Sequence, residues 1–387
     1  MNNLFADFGW KSINHDGEQL CGDHVDWVEQ DDSLVVVLAD GLGSGVKASI
    51  LSTLTSKILS TMLSRGMSLE ESVATIVSTL PVDKAKGVAY STFTVIRIQG
   101  GETAEIIQFE NPEVIMLRDN TTYEFPCQEM EVSGKKLLKS VLRLREGDVF
   151  VAVSDGCTHA SASLTYNYRW TRQEVADYVK IFAPVGYNAK TLASMLMEEC
   201  MNLYGGHPID DATACVVRIR QRQSVSLFFG PPKDREGERE IMSRFFGQEG
   251  KHIVCGGTTA KVAAGFLGKE VEPLEGEPGS DIPPISKIEG VDLVTEGVVT
   301  MNQACEYIHD ALGENSLYAL WSNCRDGACL LTRMLLEEAT DIHIWVGQAV
   351  NDAHVNSAFS FNVKMKIVGQ LINLLKQMGK NVTTEWV

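Results

Sequence analysis

Three short segments of this chain each join an apolar run to aspartate. Residues 34–40 (LVVVLAD) end in Asp40, residues 149–155 (VFVAVSD) end in Asp155, and residues 210–217 (DDATACVV) open with Asp210 and Asp211. A run of this kind reads as a fully buried strand, so the acid at its end is exposed at one edge of a sheet. Three such acids converge only around something strongly cationic, because carboxylates crowded together away from water repel one another. Oxygen ligands with no His or Cys partner favour Mg²⁺ or Mn²⁺ over zinc. Either Asp40-Gly41 or Asp155-Gly156 taken alone reads equally as a strand-ending turn. The three segments together are far more specific.

The order and context of these segments resemble the metal-dependent protein phosphatases of the PPM superfamily, in the bacterial branch typified by stage II sporulation protein E. The residues that carry the resemblance are Gly22-Asp23, Asp40-Gly41-Leu42-Gly43-Ser44-Gly45 leading into a helix, Ser154-Asp155-Gly156, and Asp210-Asp211-Ala212-Thr213. The resemblance implies an α+β fold of two β-sheets flanked by helices. It also implies that Asp40, Asp155 and Asp210 bind one metal ion, that Asp40 and the Gly41 carbonyl bind a second, and that Asp23 supports the site through water. Asp211, the adjacent acid, exchanges with Asp210 if the register slips by one residue, and the sequence leaves that choice open. Eukaryotic members of the superfamily usually carry an Arg upstream of the first acid and a His just after the Asp-Gly. This chain has Glu18 and Gln19, then Leu42-Gly43, and the bacterial branch likewise lacks both, so the general acid is unassigned.

The chemistry such a site supports is phosphomonoester hydrolysis. Two divalent ions roughly 3.5–4 Å apart acidify a bridging water, hold a phosphoryl oxygen and offset charge in an in-line displacement. No covalent phosphoenzyme is needed, in keeping with the lack of an activated Cys or Ser pattern. Cys21 and Cys157 read as small buried fillers, and His15 and His24 as surface-loop residues that no spacing ties to the metal edge. The expected activity is that of a Mn²⁺- or Mg²⁺-dependent serine/threonine phosphatase acting on a phosphoprotein. The alternatives are a pseudophosphatase that binds metal or partner without turnover, and a phosphatase of small metabolites.

A chain of 387 residues exceeds what one core normally fills, so two domains are expected, 1–222 and 223–387. With 44% hydrophobic and 22% charged residues the composition is that of a soluble globular protein. No stretch reaches the ~18 uninterrupted apolar residues of a membrane span, and the start, MNNLFADFGWK, lacks a basic region followed by an apolar core, so the expected location is the cytoplasm. A net charge of −17 opposes binding to nucleic acid or an anionic membrane. Nine cysteines without C-x-x-C spacing are expected to be reduced, with neither a disulfide framework nor a zinc site.

In the first domain, residues 46–66 read as an amphipathic helix with Ile50, Leu54, Ile58, Leu59 and Met62 on its apolar face and Gly66 as its stop. Ser68 with Glu70 and Glu71 starts a second helix that is expected to end near Pro81. From Val225 strand and helix patterns alternate, which predicts a three-layer α/β domain with a largely parallel sheet. Its turn at Gly256, Gly257, Thr258 and Thr259 reads either as a tight turn with a capping threonine or as a site for a small anionic effector, with backbone N–H groups facing the ligand. Neither G-x-G-x-x-G nor a P-loop occurs, so a dinucleotide or nucleoside triphosphate site has no support. Residues 223–387 are also similar to an extension found on some of these bacterial phosphatases, certain of them encoded beside iron-only hydrogenase components. That likeness implies a regulatory or docking role and a link to hydrogenase-associated proteins.

Overall fold

Residues 34–39 are buried at every position because the strand that carries them, Ser33–Gly41, is covered on both faces. Leu34, Val36 and Leu38 point one way, toward Phe150, Ala152, Cys215 and Val217 of a second sheet. Val35, Val37 and Ala39 point the other way, onto Leu59, Leu63, Val73 and Ile76 of two helices. Strand periodicity of two thus feeds two cores from one run, and the β-branched residues suit a strand pressed between layers.

The computed structural model describes residues 3–30, 33–79, 91–160, 170–234, 236–349 and 357–387, with side chains from 362 in the last of these. Two compact units emerge, Met1–Gln221 and Arg222–Val387. The first contains an antiparallel six-stranded sheet in the order Asp23–Gln30, Ser33–Gly41, Ser91–Gln99, Thr103–Phe109, Lys135–Arg143, Gln128–Val132. A five-stranded sheet, in the order Leu4–Ile13, Ala212–Gln221, Val149–Val153, Ile115–Arg118, Thr121–Thr122, packs against it. Helices Gly45–Ser64 and Leu69–Thr79 cover the outer face of the larger sheet, and Arg172–Phe182 and Ala189–Leu203 that of the smaller. These layers are the α+β arrangement of two sheets flanked by helices.

The helix Gly45–Ser64 corrects one expectation. Ile50 and Leu54 are exposed, at 54% and 43%, and the buried face is built from Gly45, Ala48, Leu51, Thr55, Leu59 and Leu63 with three serines, Ser52, Ser56 and Ser60. Small side chains and hydroxyls bring the helix close to the sheet, with Ser52 and Ser56 satisfied by backbone carbonyls one turn back, so bulk alone misreads the face. Ser68 and Glu71 cap the next helix reciprocally. Its expected end near Pro81 lies outside the described residues.

In the second unit a largely parallel sheet runs Glu272–Pro273, Ser286–Lys287, Leu293–Thr295, Lys251–Cys255, Ser224–Phe229, Asp341–Val346, Asn381–Trp386. All pairs are parallel except those made by the first two short strands. Helices Val298–Leu312 and Gly327–Arg333 pack on one face, and Glu238–Phe246 and Gly257–Leu267 on the other, which makes three layers. The cysteines are a second correction: Cys324 and Cys329 form a disulfide, while the other seven are free. Cys324 caps the end of helix Tyr318–Asn323 and Cys329 lies in the first turn of Gly327–Arg333, so the turn between the two helices brings their Cα atoms to 6.0 Å. C-x₄-C spacing does not reveal that turn. Among the described residues no helix is long and apolar enough to cross a membrane.

Candidate functional site

Strand register assembles the acids. Asp23 opens its strand directly opposite Asp40 on the neighbouring one. In the second sheet Val153 pairs with Ala214, and the Ser154 N–H donates to the Thr213 carbonyl at 3.0 Å, which brings Asp155 beside Asp210 and Asp211. Asp155 then begins the short helix Asp155–Thr158. The glycines after the acids permit close approach. A Cβ on Gly41 would lie 2.1 Å from the Ala48 carbonyl oxygen, and one on Gly156 would lie 2.1 Å from that of Asp211. Each Asp-Gly therefore joins an acid to a backbone packed too tightly for any side chain.

The carboxylates divide into two groups. Asp40, Asp155 and Asp210 line an open cleft of about 210 Å³ together with Leu42, Gly43, Thr92 and Glu110. Asp23 and Asp211 are buried, at 4% and 3% exposure. The His15 N–H donates to Asp211 Oδ1 at 3.0 Å, and the Asp211 N–H donates to Asp210 Oδ1 at 2.9 Å. Asp211 Oδ2 and both oxygens of Asp23 are buried without a hydrogen-bond partner, although the Ser154 and Thr213 hydroxyls stand close enough to favour the charged form of Asp23.

Burial is the main cause of a strong electrostatic frustration. It pushes the Asp40 carboxyl up to about 9, with Asp23 and Asp155 adding repulsion. Burial likewise pushes Asp23 up to about 7, opposed by Ser154 and Thr213 and reinforced by Asp211 and Asp155. Asp210 is raised by burial and then by Asp155. Orphaned buried carboxylate oxygens, an all-oxygen donor set and mutual repulsion are together what a hard divalent cation relieves, so these residues fit Mg²⁺ or Mn²⁺.

Other residues near the acids escape a reading by motif. Glu110 lies on the cleft wall just past strand Thr103–Phe109, whose mixed sequence TAEIIQF does not mark it. His15 is half-buried in a loop, and its ring lies close enough to Asp210 to favour that carboxylate's charge. His24 is on a strand rather than a surface loop; its Nδ1 is 2.9 Å from Ser56 Oγ, and burial lowers its pKa. Cys157 is buried with its Sγ 3.4 Å from that of Cys200, as a small filler, whereas Cys21 is only half-buried and its thiol is raised by that burial and by Asp23. Gly256, Gly257, Thr258 and Thr259 belong to the second unit, where Gly256 caps the helix Gly257–Leu267.

Residues 30–220 match the family model of stage II sporulation protein E, a span that holds Asp40, Asp155, Asp210 and Asp211 and begins after Asp23. No curated protein matches the chain. Among solved structures, the phosphatase domain of SpoIIE from Bacillus subtilis is 19% identical over 57% of this chain and 95% of that one, with a TM-score of 0.44. A structure of the PP2C phosphatase domain with a fragment of the regulatory domain of the same protein is 19% identical over 55% of this chain and 63% of that one, with a TM-score of 0.47. RsbX in complex with magnesium is 18% identical over 57% of this chain and 97% of that one, with a TM-score of 0.39. By that match, residues 30–220 are similar to the domain that defines the stage II sporulation protein E family.

Proposed function

We propose that the chain is an active Mn²⁺- or Mg²⁺-dependent phosphatase of phosphoserine and phosphothreonine in proteins. The observation that carries this reading is the convergence of Asp40, Asp155 and Asp210 on one open cleft, with unpartnered Asp23 and Asp211 oxygens buried near them. Two bound divalent ions would supply Lewis acidity toward water and charge neutralisation at the phosphoryl group. Asp40, Asp155 and Asp210 would hold one ion, and Asp40 with the Gly41 carbonyl the other. Asp210 is favoured over Asp211 as the direct ligand because it lines the cleft, whereas Asp211 is buried against the His15 N–H. Asp23 would hold an ordered water and add negative charge from below. The openness of the cleft suits a phosphorylated side chain presented on a protein surface, and the second unit is read as a sensing or docking module. The link to hydrogenase-associated proteins rests only on the likeness of that module to the known extension.

The test is phosphate release from phosphoserine and phosphothreonine peptides and from an aryl phosphate, in Mn²⁺, in Mg²⁺ and in chelator. Turnover with either ion and none in chelator is expected. A folded, metal-binding protein that turns over nothing would be a pseudophosphatase, and one that hydrolyses the aryl phosphate but neither phosphopeptide would be a metabolite phosphatase.

A further inference from the structure

The second unit has a site at its sheet edge that the phosphatase reading does not use. Numbered among themselves in chain order, the five parallel strands Ser224–Phe229, Lys251–Cys255, Leu293–Thr295, Asp341–Val346 and Asn381–Trp386 lie in the order 3-2-1-4-5. The progression of strand order reverses between the first and fourth, which stay parallel, and in such sheets the crevice beyond the carboxyl ends at that point receives ligands. Lys364 occupies it. The residue is 9% exposed, and its Nζ donates to the Gly347 carbonyl just past the fourth strand. A Cβ on Gly230, just past the first strand, would fall 1.9 Å from the same nitrogen. Burial lowers the Lys364 pKa to about 8, and an ammonium has donors beyond the one that Gly347 takes.

Two helices start beside it, Gly257–Leu267 and Val298–Leu312. Their caps are Gly256 and Gly297, and neither has a side-chain cap bond. The caps are adjacent: a Cβ on Gly297 would lie 3.6 Å from Gly256 Cα and 3.7 Å from the Phe229 ring, the ring that has Lys364 Nζ 5.4 Å from its centroid. Gly256 has φ 111°, a conformation that disfavours any other residue. In the first turn of each helix sits a buried threonine, Thr259 at 1% and Thr300 at 0% exposure, whose hydroxyl has no hydrogen-bond partner. The Thr259 hydroxyl faces the cap, 3.2 Å from where a Gly256 Cβ would be. A buried hydroxyl without a partner is costly unless something fills the place. At the same edge Glu296, between the third strand and its helix, has a buried Oε2 without a partner.

We propose that this edge binds a small organic phosphate, with the phosphate held by the two glycine-capped helix starts, Thr259 and Lys364, and with a hydroxyl group of the ligand donated to Glu296. Helix N–H groups and a lysine supply donors and charge of the right sign for the phosphate. Glu296 repels a bare anion and accepts a hydrogen bond from a hydroxyl, so the ligand carries both groups. This assignment stands apart from the chemistry of the acidic cleft.

The test is calorimetry on the full chain in chelator, with ribose 5-phosphate, inorganic phosphate and succinate as probes. Ribose 5-phosphate is expected to bind at least about tenfold more tightly than inorganic phosphate, because only it satisfies Glu296, and Glu296→Gln should remove that difference. Lys364→Met should weaken both by about tenfold or more. Since Lys364 is buried, Gly257→Val is the second arm: nothing lies within 4 Å of a Cβ there, so the fold is spared while close approach of the phosphate is blocked. The proposal is overturned if no phosphate binds, if succinate binds as well as ribose 5-phosphate, if Gly257→Val binds like the wild type, or if Asp155→Asn abolishes binding and so assigns it to the first unit.

Discussion

Each acid of the cleft has a separable consequence. Asp155 lines the cleft, so Asp155→Asn should lower turnover by more than the roughly 10–100-fold typical of groups that support a metal ligand, whereas Asp23→Asn, acting from behind, should fall within that range. Steady-state rates over a Mn²⁺ titration separate the two, and equal losses would undo the division between lining and supporting acids. Asp40 yields a pH prediction. Its folded pKa, about 9, is above the ordinary carboxylate value of about 3.9, so the metal-free fold prefers the proton. The resulting stabilisation is fully present below about pH 4 and is lost as pH rises through about 9. In chelator, the Tm of the chain should therefore decline toward alkaline pH, and Asp40→Asn should flatten that decline. An unchanged slope in the mutant would mean that Asp40 is not the group responsible. At this scale the sequence is most legible where an acid follows an apolar run, as Asp40 and Asp155 do. Glu110 carries no such signal, because the strand before it, Thr103–Phe109, mixes Thr103, Glu105 and Gln108 with its apolar residues. The choice between Asp210 and Asp211 is not legible, since alternation along a strand assigns faces only once the register is known.

At the scale of elements, two glycines set how closely helix and loop approach the acids. Gly41→Ala and Gly156→Ala each force a Cβ to within 2.1 Å of a carbonyl oxygen, so each should cost about 1–3 kcal/mol by overpacking and lower activity as well, measured by chemical denaturation alongside turnover. A Gly156→Ala protein with wild-type stability would show that the Asp155 turn is free to shift. Element positions follow from periodicity wherever a run is long, as for Ser33–Gly41 and Val298–Leu312. The buried face of Gly45–Ser64 does not, because its helix meets the sheet through alanine, serine and threonine while Ile50 and Leu54 remain exposed. Close packing rewards small size there, and hydrophobicity is a poor guide to it.

At the scale of the molecule, the acidic cleft belongs wholly to the first unit, which has its own cores. The fragment 1–222 should fold and hydrolyse an aryl phosphate with Mn²⁺. An inert fragment rescued by adding 223–387 in trans would show that the second unit takes part in catalysis. The alternation of patterns after Val225 makes the parallel sheet legible, but not the order of its strands, which depends on crossovers that local sequence does not encode. The same limit hides the approach of Lys364 to Gly230 and Gly347, and the pairing of Cys324 with Cys329. The central claim is that Asp40, Asp155 and Asp210 build a divalent-metal centre that hydrolyses phosphate esters. Its most direct measurement is Mn²⁺ binding by calorimetry paired with aryl phosphate turnover, for the wild type and for folded Asp155→Asn. Binding of two Mn²⁺ with turnover in the wild type, and loss of both Mn²⁺ affinity and turnover in the mutant, is the predicted result; turnover by Asp155→Asn at the wild-type rate in saturating Mn²⁺ would contradict it.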